Sequence, residues 1–598
     1  MCKLSGCVFL VSLWPALGLC DSAKPPTLAE ARAFIDRAQS KLLELSVQDQ
    51  RADWVKSTFI TYDTEILAAK ADEDAIAATM ELAKESTRFS HLKMPEDMAR
   101  QFLLLRLNLT IAAPSNQKEA QELTQIAARM EGMYGSGKYC HASGECLDLD
   151  QLSNILRTGT DPQKLLDAWR GWRTISPPMR PLFQRYVELG NKGARELGFA
   201  DMGAMWRSKY DMPPDAFSAE LDRLWEQVKP LYLALHAYVR WKLREKYGDL
   251  VPANGPIPAH LLGDMWAQDW ENIYPLVAPK DADPGYDLTA ILKRRGTQPV
   301  DMLKYGERFF TSIGFAPLPT TFWERSLMAK PRDRDVVCHA SAWDVDSVDD
   351  LRIKACVEIN AEDFQMVHHE LGHNFYQRAY NQQPFLFRDS ANDGFHEAIG
   401  DTIALSVTPE YLKRIGLLAT VPDSSKDIGL LLYTALQKVA FLPFGLMIDK
   451  WRWQVFSGQA PPEKYNESWW KLVGQYQGVA SPVARSEADF DPGAKYHVAS
   501  STPYARYFLA FILEFQFHRA LAKVAGCVGP LNRCSIYGSE AAGKRLNAML
   551  AMGASQPWPK ELAALTGQEQ MDATAIVDYF APLKKWLDEQ NRGKPVGW

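Results

Sequence analysis

Asn360-Ala361-Glu362-Asp363-Phe364-Gln365-Met366-Val367-His368-His369-Glu370-Leu371-Gly372-His373 contains the pattern His-Glu-x-x-His. Residues four apart share one face of a helix, so on a helix His369 and His373 reach the same point and Glu370 lies beside them. Two imidazoles so placed are a zinc-binding arrangement, with a carboxylate where a base would meet a metal-bound water. Because so short a pattern also arises by chance, a third ligand has to come from elsewhere in the chain.

Gly394-Phe395-His396-Glu397-Ala398-Ile399-Gly400-Asp401 offers one on a second helix-like stretch. A solvated charge pair is the plain alternative for Glu397 and Asp401. The need of a catalytic zinc for three protein ligands and one open position favours Glu397 as the ligand. Asp401, four residues on, is placed to accept a hydrogen bond from a ligand imidazole and fix its tautomer. His368 and His396 are expected to be ordinary packing or hydrogen-bonding histidines.

Just upstream, Val336 to Trp343 and Leu351 to Ile359 read as two strands around an Asp/Ser-rich turn. The remaining long patterns are helical. Phe217, Leu221, Leu224, Val228, Leu231, Leu235, Val239 and Leu243 mark a helix from Asp215, bent at Pro230 and ended by Gly248. Thr27 and Glu30 form a capping box ahead of Leu28, Ile35, Ala38, Leu42 and Leu45. With no internal repeat and no low-complexity linker, residues 24–598 read as a single, mainly α unit with a small β-sheet.

The 598 residues are 46% hydrophobic and 23% charged, which excludes disordered and fibrous classes. A formal charge of −6 without basic runs excludes a nucleic-acid partner. Residues 1–23, with Lys3 and the apolar run from Leu4 to Leu19, read as a signal peptide, so the mature chain is expected to be secreted or periplasmic. No other stretch is expected to span a bilayer, the most apolar being Tyr507 to Leu513. Cys2, Cys7 and Cys20 fall in the leader, leaving six cysteines. Proximity in sequence and an oxidising destination favour the pairs Cys140 with Cys146, Cys338 with Cys356 and Cys527 with Cys534. Asn108-Leu109-Thr110 and Asn466-Glu467-Ser468 are glycosylation sequons.

The two metal-site segments resemble the angiotensin-converting-enzyme family of zinc dipeptidyl carboxypeptidases. The likeness extends to His260-Leu261-Leu262-Gly263-Asp264-Met265-Trp266-Ala267-Gln268, to Cys338-His339-Ala340-Ser341-Ala342-Trp343-Asp344, to Gly493-Ala494-Lys495-Tyr496-His497 and to Pro503-Tyr504-Ala505-Arg506-Tyr507-Phe508. It covers most of the mature chain. It implies a helical, two-lobed ellipsoid around a deep central channel, with the small sheet near the zinc, and disulfides at the three cysteine pairs.

The same resemblance assigns roles to residues of this chain. Glu370 is the general base toward a zinc-activated water, and Tyr507 holds the oxyanion. His339 and His497 bond the peptide backbone, while Ala340 offers main-chain groups to an extended substrate. Gln268, Lys495 and Tyr504 match the pocket for the substrate's terminal carboxylate. Oligopeptides with a free C-terminus are therefore the expected partners, and a monomer is the expected state.

Chloride is left open. Arg506 and Tyr210 match one chloride site of the family, and Arg173, Trp469 and Trp470 match part of another. At the second, Val473 stands where a chloride-binding arginine is usual, so that site is expected to be lost. At the first, Asp393 replaces a common proline; its carboxylate is expected to substitute for the anion by pairing with Arg506, the alternative being a helix cap. A single-residue carboxypeptidase conflicts with Gln268 and Lys495. An aminopeptidase lacks its GxMEN signature, and a binding-only homologue would be expected to lose one of His369, Glu370, His373 or Glu397.

Overall fold

A computed structural model describes residues 25–141, 144–280 and 283–598. The leader read at residues 1–23, with Cys2, Cys7 and Cys20, lies outside them. The fold is 66% helix and 3% strand, a mainly α architecture with a few two-stranded sheets. Ser341–Asp344 pairs antiparallel with Leu351–Lys354, Tyr139–Cys140 with Cys146–Leu147, and Ile257–Pro258 runs parallel to Val479–Ala480. All three expected disulfides are present.

The helix Leu28–Thr58 opens on the capping box read from the sequence, with Thr27 and Glu30 each satisfying the other's backbone N–H. It packs on Tyr62–Ser86 and Glu96–Leu107 through a small apolar cluster that includes Phe34, Phe89 and Phe102. A far larger cluster holds the rest of the chain together. The helix Pro214–Tyr247 carries Pro230 inside it and stops where Gly248 turns to a φ of 60°, a conformation that costs glycine nothing.

Two expectations are corrected. The strands are shorter than read: residues 336–340 leave the ladder, because the Val337 and His339 carbonyls accept from the Lys354 ammonium instead of from strand amides. The turn between the strands is built by Asp346, whose Oδ1 accepts the N–H groups of Val348, Asp349 and Asp350.

The second concerns apolar helices. Ser424–Phe456 is long and apolar enough to cross a membrane, at a mean hydropathy of 1.5, and the sequence reading passed over it. Its most apolar window is 78% buried within the chain. Continuous hydrophobicity here marks a helix surrounded by other helices, and periodicity has no exposed face on which to register. Asp449, Lys450 and Arg452 near its end are buried as well.

Candidate metal centre and peptide cleft

The helix Ala361–Tyr380 begins at Asn360, whose side chain accepts the Asp363 N–H, and Glu362 and Asp363 suit its positive end. It lies against Phe395–Leu405 with unusual closeness. A Cβ on Gly372 would sit 2.8 Å from the Gly400 Cα, and one on Gly400 would sit 2.8 Å from His369 Nδ1. Two glycines thus let the second helix bring Glu397 to the histidines.

Ligand atoms of His369, His373 and Glu397 all fall within 4.8 Å of one another. The two Nε2 atoms are 3.1 Å apart, and Glu397 Oε2 is 3.6 Å from His369 Nε2. His369 Nδ1 donates to Asp401 Oδ1 at 2.9 Å, which leaves the Nε2 lone pair bare and aimed at the cluster. On the other imidazole, His373 Nδ1 lies 3.3 Å from His396 Nδ1, and His396 Nε2 lies 3.2 Å from the Tyr380 hydroxyl. If that chain donates outward, His373 Nε2 is also bare. Two nitrogen lone pairs and a carboxylate converging at these separations fit a tetrahedral zinc with a free position.

His396 packs and hydrogen-bonds, as read, but its partner is part of the candidate centre: the half-buried ring is stacked 4.3 Å from Tyr376 and meets His373. His368 keeps that reading: it is fully buried and bonds the Phe364 carbonyl and the Tyr411 hydroxyl. Asp401 is itself held by Lys438, which also reaches Glu514 at 3.0 Å. Burial opposes the Asp401 charge, but Lys438 outweighs it and holds the carboxyl well below its ordinary range. Neither Lys438 nor Glu514 was found from the sequence, since each is a lone charge in an apolar helix.

Glu370 is 9% exposed, and burial raises its carboxyl above the ordinary range against the opposing pull of His369. The Ala342 backbone favours its charged form. A base held near the edge strand and beside the ligands is the result.

The residues matched to a carboxylate pocket come together. Lys495 Nζ donates to Gln268 Oε1 at 2.7 Å, and the Tyr504 hydroxyl donates to the same oxygen at 3.3 Å. Lys495 also lies 4.1 Å above the Trp266 ring. Burial pulls its pKa down to about 8, with Asp264 resisting. The Tyr504 and Tyr507 rings are 4.9 Å apart, and burial, with a smaller push from the Glu397 charge, raises the Tyr507 pKa against the pull of Arg506. His497 stands 5.6 Å from the Tyr507 ring with Nδ1 buried and unpartnered.

These groups share one support that sequence reading missed. Asp449 Oδ2 accepts the N–H groups of both Tyr504 and Ala505 at the start of helix Ala505–Val524. Arg452 bonds Asp449 and donates to the His497 carbonyl at 2.8 Å. His339, by contrast, is exposed, and its Nδ1 donates to its neighbour's carbonyl, Ala340 O, at 2.9 Å.

Asp393 does not cap the Glu397 helix, whose N-cap is Gly394 without a side-chain bond. It faces Lys209 and Arg506, with Tyr210 buried alongside. At the other matched site Val473 is buried, and Arg173 faces Asp491, which Arg485 and the Trp470 indole also bond. Of the two sequons, Asn466 is 1% exposed and bonded to the Ser486 carbonyl, so the folded chain offers no acceptor there; Asn108 is exposed.

The family model for angiotensin-converting enzyme matches residues 25–598. Angiotensin-converting enzyme of Bos taurus is 44% identical over 577 residues, covering 95% of this chain and 44% of that protein. That of Theromyzon tessulatum is 42% identical over 556 residues, covering 92% of this chain and 90% of its own length. The angiotensin-converting enzyme-like protein Ace3 of Mus musculus is 39% identical over 580 residues, 95% of this chain and 78% of that protein. The chain therefore spans less than half the length of the mammalian angiotensin-converting enzymes it matches.

Proposed function

The chain belongs to the angiotensin-converting-enzyme family of peptidases, and from that premise we propose that it is a zinc peptidyl-dipeptidase, releasing dipeptides from the C-terminal ends of oligopeptides. The observation that carries the reading is the pairing of two sites: three zinc-suited donors within 4.8 Å of one another, and the Lys495, Tyr504 and Gln268 cluster next to them.

His369, His373 and Glu397 would hold the metal. Bound zinc supplies Lewis acidity, lowering the pKa of water and polarising a carbonyl. Glu370 takes the proton from the attacking water and returns it to the leaving nitrogen, a double role that suits a raised carboxyl pKa. The Tyr507 phenol donates to the carbonyl oxygen as it gains charge. His497 and His339 bond the peptide carbonyl beyond the cleaved bond. Lys495, Tyr504 and Gln268 take the terminal carboxylate, which replaces the Gln268 oxygen as acceptor for the other two. The backbone at Ala340 receives the peptide as an added strand, which reads main chain and tolerates varied side chains.

Asp393 serves as a built-in anion for Arg506, and export is proposed from the three disulfides. Incubating zinc-loaded protein with a blocked tripeptide and identifying the fragments tests the activity. A C-terminal dipeptide supports it, whereas a single free amino acid points to a carboxypeptidase.

A further inference from the structure

Lys354 ends the inner strand Leu351–Lys354, paired across the ladder with Ser341. It is 3% exposed, yet among the described residues no carboxylate lies within ion-pair distance of it. Its ammonium instead donates to two carbonyls of the neighbouring segment, Val337 O at 2.9 Å and His339 O at 2.5 Å. A buried charge with only neutral acceptors is costly, and it persists where the acceptors are held in place around it. Burial depresses the Lys354 pKa, and the nearby Glu370 charge pulls it back.

The segment it grips needs that support. Residues 336–340 have left the ladder, so backbone pairing does not fix them. Three attachments do: the Cys338–Cys356 disulfide, the Val337 N–H donated to Ser57 O at 2.9 Å, and the Lys354 ammonium. Of these only Lys354 holds His339 itself. With the His339 carbonyl turned inward to Nζ, the Ala340 carbonyl is left to the His339 ring, its partner at 2.9 Å.

We propose that Lys354 is a positioning residue for substrate binding: by clamping the Val337 and His339 carbonyls it sets the His339 ring and the Ala340 backbone in register to receive an extended peptide. This rests on the peptidase reading above. Lys354 touches no reacting atom, so its effect falls on binding and leaves the chemical step largely alone.

The test uses zinc-loaded Lys354→Met and Lys354→Gln proteins, checked for circular dichroism and zinc content, with a blocked tripeptide and its analogue methylated at the amide that pairs with Ala340. Lys354→Met is expected to raise KM about tenfold, the effect of losing one charge-assisted hydrogen bond, with kcat within about twofold. The methylated analogue is bound much worse than the parent by wild type and only slightly worse by the variant. Lys354→Gln keeps a donor and is expected to raise KM about threefold, so it carries the test if the methionine protein does not fold. An unmoved KM in either folded variant overturns the assignment, as does a fall in kcat at constant KM. Wild-type protein that releases no dipeptide overturns the peptidase reading instead, and the assignment with it.

Discussion

Lys209 Nζ lies 2.8 Å from Asp393 Oδ1, while Arg506 approaches the other carboxylate oxygen at 3.5 Å. Burial disfavours the Asp393 charge, but Lys209 and then Arg506 outweigh it and hold the carboxyl below its ordinary range. Arg506 thus already faces a carboxylate of its own chain. Activity should change less than about twofold when chloride is added to a chloride-free buffer, because the guanidinium already has its partner. Asp393→Ala should lose activity and regain part of it with chloride. Strong chloride activation of the wild type, measured as initial rate against salt at constant ionic strength, would rule this out.

Lys495 gives the pH dependence. Its pKa is drawn down to about 8 by burial, and only its protonated form attracts a carboxylate. Affinity for the substrate's terminus is thus present below that value and lost as pH rises through it. The predicted profile is a fall in kcat/KM above about pH 8, approaching tenfold per unit. A peptide ending in an amide should show no such limb at that pH. A flat profile for the free acid across this range would contradict the role given to Lys495.

Gly400 is expected to tolerate no side chain. The added methyl of Gly400→Ala meets His369 Nδ1, the atom that bonds Asp401. Displacing an imidazole from its supporting carboxylate costs about 10–100-fold in metal affinity. Zinc retention against a chelator of known affinity measures it, and retention equal to wild type would show that the helices can part without consequence.

Asp449→Ala removes the acceptor of two buried N–H groups and strands the Arg452 guanidinium. Breaking a buried pair of this kind costs about 3–5 kcal/mol. The protein should melt at lower temperature, and its KM should rise because Tyr504 and His497 lose their common anchor. A variant with unchanged Tm and KM would remove Asp449 from the account.

The part of this structure legible in the sequence is the part with short periods and local chemistry. His369 and His373 share a helical face by spacing alone, and Thr27 with Glu30 announces a helix start. Cys338 and Cys356 pair across a turn whose Asp/Ser content is plain. What escaped notice depends on partners far apart in the chain. Lys438 and Glu514 are single charges within apolar helices, Asp449 sits with Lys450 and Arg452 at a helix end, and nothing local distinguishes them from solvated ones. Lys354 reads as a strand residue until the carbonyls it grips are known. A lone histidine such as His396 beside a motif reads as packing, and its bond to His373 exists only once Gly372 and Gly400 let two helices touch. The core helix ending at Phe456 was missed because complete burial erases the amphipathic signal.

The most direct test strips the protein with a chelator and follows zinc content and fragments from a blocked tripeptide together. Dipeptide release should vanish in the stripped protein and return in proportion to zinc, saturating at one ion per chain, while Glu397→Gln protein should bind zinc weakly and stay inactive. Undiminished dipeptide release by the metal-free chain, or normal zinc affinity in the Glu397 variant, would contradict it.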